Sequence, residues 1–196
     1  MPTIQNKQTI RNRLSEKRKS IPLFEQHQKS TQIVQRVKSF RLFKEAKEVA
    51  VYHAINGEAN PRDLTSDTNK QFYLPVLSSN ESQGLEFSLI NQETQYQNNK
   101  FQIPEPIRAT NKIQPNSLDL VIVPLLGFDL SGNRLGMGGG FYDRCFAFKK
   151  ESLLKPFLIG FAYDFQEVEK IQAESWDIGL DAIATETRFI EFKKPF

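Results

Sequence analysis

The chain is short of the residues that carry covalent chemistry. Its 196 residues include one cysteine, Cys145, and two histidines, His27 and His53. A single cysteine excludes an intramolecular disulfide, and no Cys/His cluster has zinc-finger spacing. Nothing in the sequence reads as a nucleophile with its base and orienting group. Long apolar runs are missing too. The longest, Val121–Phe128, is broken by Pro124 and is far too short to span a bilayer. Residues 1–30 are polar and basic where a secretory leader would need an apolar stretch, so a cytoplasmic protein with no membrane partner is expected. What is present suits a soluble globular protein: 39% apolar residues, 25% charged residues, and 16 Phe to fill a core. A single domain over residues 1–196 is expected, burying roughly 70% of its unfolded surface without a disulfide or metal.

The charge is unevenly placed. Residues 1–50 carry 12 Lys/Arg and 4 Asp/Glu, a net of +8, while the remaining 146 residues have a net of −5. A basic leading segment before an acidic body points to an anionic partner, either a phosphorylated small molecule or nucleic acid. The segment lacks the aromatic interleaving and RNP-type motif of an RNA-binding module, so no nucleic-acid partner is expected.

Residues 3–19 read as a first helix, with Ile4, Ile10 and Leu14 apolar. Lys7, Arg11 and Arg18 lie at spacings of four and seven on one face. Lys17-Arg18-Lys19 reads as a solvated charge run. Pro22 restarts the chain into a second helix ending near Ser39, followed by a helical turn at Leu42–Ala46 and a strand at Glu48–Ala54. Asn60-Pro61 opens a short helix. Strands are expected at Gln71–Leu77, Leu85–Ile90, Leu118–Pro124, Phe157–Tyr163 and Asp181–Thr185, and helices at about Gly140–Lys149 and Gln166–Glu174. The stretch Asn91–Asn116 reads as irregular. Strands alternating with helices give an α/β fold with a mostly parallel sheet.

The chemistry concentrates in Gly132-Asn133-Arg134-Leu135-Gly136-Met137-Gly138-Gly139-Gly140-Phe141-Tyr142-Asp143-Arg144. Five of the chain's 10 glycines fall within residues 132–140, each at a cost in backbone entropy. The segment follows a buried strand and precedes a helix, the place where α/β folds bind ligands. Glycines there let main-chain N–H groups approach an anion, and the helix terminus adds positive potential. Arg134 supplies a guanidinium for phosphate, and Asp143 a hard oxygen for Mg²⁺. The segment lacks the Gly-Lys-Ser/Thr ending of a Walker A loop, and Phe141 stands at the third glycine of a dinucleotide fingerprint.

Arg134-Leu-Gly136-Met-Gly138-Gly-Gly140-Phe-Tyr142-Asp143 resembles the Arg-x-Gly-x-Gly-x-Gly-aromatic-Tyr-Asp signature of the 5-formyltetrahydrofolate cyclo-ligases, also called methenyltetrahydrofolate synthetases. Lys7-Gln-Thr-Ile-Arg11 is similar to that family's leading Lys-x-x-x-Arg element. Val51-Tyr52 with Gly57-Glu58, Leu74-Pro75-Val76, Ile103–Pro106, Val123-Pro124 and Trp176-Asp177 extend the resemblance over nearly the whole chain. Met137 and Phe141 depart from the commoner family residues.

The resemblance implies a three-layer α/β/α fold like that of sugar isomerases and CoA transferases. It also implies ATP- and Mg²⁺-dependent closure of 5-formyltetrahydrofolate to 5,10-methenyltetrahydrofolate, with ADP and phosphate released; a monomer is expected. Carried over, Lys7, Arg11, Arg134 and residues Leu135, Gly136, Met137, Gly138, Gly139, Gly140, Phe141 and Tyr142 would bind ATP. His53, Glu58 and residues 137–141 would line the folate pocket. Asp143 and Asp177 would serve Mg²⁺, and Arg134, Tyr142 and Asp143 would carry the catalysis. Read from its residues alone, His53 is a packed core or pocket histidine, Glu58 a loop acid, and Cys145 a packing residue.

Overall fold

A computed structural model describes residues 6–80, 82–107, 111–151 and 155–192. Helix α1 is Lys7–Lys19, capped by the Asn6 side chain, which accepts from the Gln8 N–H at 2.8 Å. Residues 3–5 of the expected first helix lie outside the described residues. Helix α2, Leu23–Ser39, starts after Pro22 and buries Ser30, Ile33, Val34 and Val37, the spacing of one helical face. Helix α3 is Arg41–Glu45. The strands and the last helix follow in chain order: β1 Glu48–Ala50, β2 Gln71–Leu77, β3 Leu85–Ile90, β4 Tyr96–Asn98, β5 Pro104–Pro106, β6 Lys112–Ile113, β7 Leu120–Pro124, β8 Gly127–Phe128, β9 Arg134–Leu135, α4 Phe141–Cys145, β10 Phe157–Phe161, β11 Ala182–Ala184 and β12 Phe189–Glu191. Among the described residues no helix is long and apolar enough to cross a membrane.

Eight strands form the main sheet in the order β12-β11-β10-β7-β1-β2-β3-β6. The five central strands, β11, β10, β7, β1 and β2, are mutually parallel, and antiparallel β12 and β3 flank them. Side chains alternate between the two faces, as the strand period requires. Val49, Leu120, Ile122, Ile159, Phe161, Ala182 and Ala184 pack with Ile33, Val34, Val37 and Phe43 of α2 and α3. Ala50, Val121, Val123, Leu158 and Ile183 face the other way, onto Cys145 and Phe146 at the end of α4. Helices on both faces of a mostly parallel sheet make the fold a three-layer α/β arrangement. A third cluster seats α1 at the carboxyl ends of the parallel strands: Ile10 and Leu14 pack on Leu135, Val168 and Ile171.

Four expectations are corrected. β1 ends at Ala50 rather than Ala54, because the chain leaves the sheet toward the turn at Asn56-Gly57, both in the left-handed region. The Asn91–Asn116 stretch holds a two-stranded ribbon, β4 with β5, and the edge strand β6. The helix expected at Gln166–Glu174 is absent; only a 3₁₀ turn, Asp164–Gln166, is helical there. Its backbone donors are taken elsewhere: Val168 N–H by the Phe128 carbonyl and Ile171 N–H by the Asp129 carboxylate. The Gly140–Lys149 helix is two pieces, α4 and a 3₁₀ turn at Ala147–Lys150.

Candidate active site

The carboxyl ends of β1, β2 and β7 open onto a cavity of about 800 Å³, roofed by α1, the β8–β9 hairpin and the bend that enters α4. Every residue that the resemblance assigns to the site lines it: Lys7, Arg11, His53, Glu58, Arg134 through Asp143, and Asp177. The location follows the rule for open α/β sheets, in which ligands sit beyond the carboxyl ends of strands.

The glycines of the bend have different tasks. Gly138 and Gly140 adopt φ values of 103° and 62°, which side chains disfavour, and Gly140 begins α4 from that conformation. At Gly139 a Cβ would lie 2.5 Å from the Phe141 ring, so this glycine makes room for an aromatic neighbour. Arg11 Nε donates to the Gly136 carbonyl at 3.0 Å, and Arg144 Nη1 donates to the Gly139 carbonyl at 2.9 Å. Met137 and Trp176, 60% and 63% exposed, stand at the mouth.

Two groups of opposite charges meet there. Arg134 Nη2 donates to Asp143 Oδ1 at 2.7 Å, and Arg134 Nη1 donates to the Ile178 carbonyl. The same Asp143 oxygen accepts the Ile178 N–H at 3.0 Å. On α1, Lys7 Nζ lies 3.3 Å from Asp177 Oδ2 and 3.4 Å from Glu174 Oε1, while Asp177 Oδ2 also accepts the Glu174 N–H. Among the described residues no three His, Cys, Asp or Glu side chains converge on a point that would hold a metal ion. That donor set fits Mg²⁺ in one respect: the ion commonly takes one or two carboxylates and fills its octahedron with phosphate oxygens and water.

The inner wall is less polar. Tyr52 donates its hydroxyl to the Ala59 carbonyl at 2.5 Å. Burial pushes the Tyr52 and Tyr142 hydroxyls well above the ordinary tyrosine range, so both stay neutral donors. His53 meets Tyr96 edge-on at 5.2 Å, and its buried Nε2 has no hydrogen-bond partner among the described residues. Burial, helped by the nearby Arg62 charge, holds the imidazole below its ordinary value and therefore neutral. Glu58 is almost fully enclosed, and desolvation raises its carboxyl above the usual range against the opposing pull of Arg18 and the Ile55 N–H. Cys145 packs in the core; burial raises its thiol to about 12, which removes it from nucleophilic chemistry.

One correction matters for the site. Arg18, read as part of a solvated run, is 1% exposed. Its Nε donates to the Asn56 carbonyl at 3.0 Å, its Nη1 to the Leu125 carbonyl at 3.2 Å, and Nη1 lies 3.4 Å from Glu58 Oε1. A signal for this was available, because Ile10, Leu14 and Arg18 recur every four residues as the buried stripe of α1. Glu174 and Phe101, which also line the cavity, were missed. Both lie on connecting segments, where side-chain periodicity gives no guide.

The chain matches the model of the 5-formyltetrahydrofolate cyclo-ligase family over residues 3–186. It is 35% identical over 180 residues to the 5-formyltetrahydrofolate cyclo-ligase of Haemophilus influenzae, covering 90% of this chain and 95% of that one. To the enzyme of the same name from Escherichia coli K12 it is 33% identical, covering 91% of this chain and all of the other. Among solved structures, an NMR structure of Aquifex aeolicus 5,10-methenyltetrahydrofolate synthetase superposes with a TM-score of 0.82 at 29% identity, over 97% of this chain and 94% of that one.

Proposed function

The chain belongs to the 5-formyltetrahydrofolate cyclo-ligase family and is an enzyme of folate metabolism that forms 5,10-methenyltetrahydrofolate, and we propose that it does so by consuming ATP with Mg²⁺. A formamide carbonyl is a poor electrophile, and its oxygen would otherwise leave as hydroxide. In the proposed sequence the formyl oxygen attacks the γ-phosphorus and ADP departs. The N10 amine then attacks the activated carbon and loses its proton. Finally the carbon–oxygen bond breaks, phosphate leaves, and the amidinium ring is closed. Such chemistry asks the protein to align two anionic ligands and to stabilise charge on the transferring group rather than to supply a nucleophile.

The observation that carries this reading is the convergence of Lys7, Arg11 and Arg134 with the glycine bend on one cavity. The three cations and the bend residues 135–142 bind the triphosphate. Glu58 and neutral His53 hold the folate, with residues 137–141 along its flank. Arg134 and Lys7 are each held by a carboxylate in the free protein. When they turn to phosphate oxygens, Asp143 and Asp177 are left as the donors that would hold Mg²⁺, which supplies charge neutralisation on the phosphate oxygens. Arg134, Tyr142 and Asp143 thus form the catalytic group. The reading carries with it a cytoplasmic monomer working on small molecules.

The test follows methenyl-folate absorbance with 5-formyltetrahydrofolate, ATP and Mg²⁺. Turnover should stop when nucleotide is omitted or the divalent ion is chelated. Arg134→Ala should lower kcat by roughly 100-fold or more with the circular dichroism spectrum unchanged, the scale set by removing one charge-stabilising donor. Turnover without nucleotide, or wild-type rates from Arg134→Ala and Asp143→Ala, rejects the assignment.

A further inference from the structure

Arg18 is an expensive residue to place where it is. A buried ion pair is a weak source of stability, and apolar side chains in place of both partners often serve the fold as well. Here the mismatch is plain, because Nη2 of the guanidinium is buried with no hydrogen-bond partner among the described residues. The groups that Arg18 does hold share one property. Asn56, Leu125 and Glu58 all line the cavity.

The turn that Arg18 grips runs through the left-handed region. Asn56 and Gly57 have φ values of 50° and 75°. A Cβ at Gly57 would lie 2.6 Å from the Arg18 carbonyl oxygen, so the turn is pressed directly onto the last turn of α1. Glu58 closes the turn itself: its Oε2 accepts the Ile55 N–H at 3.1 Å, and its N–H reaches the Ile55 carbonyl at 3.0 Å. The Glu58 carboxylate is therefore fixed from two sides, by its own turn through Oε2 and by α1 through Oε1.

We infer that Arg18 is a positioning residue for the folate: from behind the cavity wall it fixes the Asn56–Glu58 turn and supplies the counter-charge of the carboxylate that accepts the ligand's N–H groups. This rests on the reading that Glu58 holds the folate. The other titratable groups coupled to Glu58 are the hydroxyls of Tyr52, after β1, of Tyr142, on α4, and of Tyr163, after β10. Burial raises all three, so they are neutral across the working range and leave the counter-charge to Arg18. Burial also favours the protonated form of Glu58, and Arg18 opposes it.

Calorimetric titration of the full chain with 5-formyltetrahydrofolate from pH 5 to 9 tests this. Glu58→Gln should weaken binding roughly tenfold or more, as loss of a charged hydrogen-bond acceptor does. Arg18→Met should weaken it to a similar degree and move the acid limb of the affinity profile to higher pH. Arg18→Lys, which restores the charge without the fork, should return the limb toward wild type and recover part of the affinity. In a chain already carrying Glu58→Gln, either change at Arg18 should alter affinity less than about twofold. A full-sized Arg18→Lys effect in that background, or wild-type affinity and pH profile in both Arg18 variants, overturns the inference. Should Arg18→Met not fold, the Arg18→Lys and Glu58→Gln cycle decides alone. Wild-type affinity in Glu58→Gln instead rejects the underlying role of Glu58.

Discussion

Helix α1 carries three cations on one face, and its two ends use them in opposite ways. At the outer end, Lys7 is partly open to solvent and is held by the carboxylates of Glu174 and Asp177, both beyond 3 Å. At the inner end, Arg18 is enclosed and is held by two backbone carbonyls and Glu58. Exposed pairs of the first kind contribute little and exchange partners easily. An enclosed guanidinium of the second kind does not exchange, and losing it strands a charge. Both are cations on the same face of one helix. What separates a ligand-facing cation from a framework cation is the depth of the surface on which it lands.

The largest expected effect follows from that contrast. Arg18→Met should lower unfolding free energy by about 3–5 kcal/mol, measured by urea denaturation, while Lys7→Ala should lower it by less than about 1 kcal/mol. Equal losses would erase the distinction between the two ends. Next in size, Lys7→Ala should raise the KM for ATP by roughly tenfold while leaving that for 5-formyltetrahydrofolate within about twofold, as expected for one charged contact to phosphate. A larger effect on folate than on ATP would reverse the assignment of the outer end. The smallest effect lies in the pH dependence. Because Glu58 has its folded-state value raised, its favourable contribution is complete below the ordinary carboxylate range and is lost as pH rises through the raised value. The stability of Glu58→Gln relative to wild type should therefore increase from pH 5 to pH 8. A constant difference in urea midpoint would show that burial does not perturb this carboxyl.

Much of this was legible in the sequence. The alternation of helices with apolar strand runs gives the parallel sheet, and β2 and β3 fall where the pattern puts them, at Gln71–Leu77 and Leu85–Ile90. The glycine-rich segment announces the bend, because positions such as Gly138 and Gly140 need conformations that other residues resist. The convergence of Lys7, Glu58 and Asp177 was legible only through the family resemblance, since no local spacing joins residues so far apart in the chain. The failures have a common cause. The segment after Gln166 contains residues that tolerate a helix, but its N–H groups are taken by Phe128 and Asp129, which only the folded chain brings near. Arg18 was misread because hydrophilic character was taken as exposure, although its place in the Ile10–Leu14 stripe pointed inward.

The seating of α1 has a dynamic consequence. Its foot is anchored by buried apolar contacts and by the bonds of Arg18 to two carbonyls, whereas its tip is tied by solvent-accessible ion pairs that salt weakens. One helix should therefore show a gradient of amide-exchange protection, slow near Leu14 and fast near Lys7. Occupancy of the cavity by a polyanion would flatten that gradient by replacing the screened tethers at the tip.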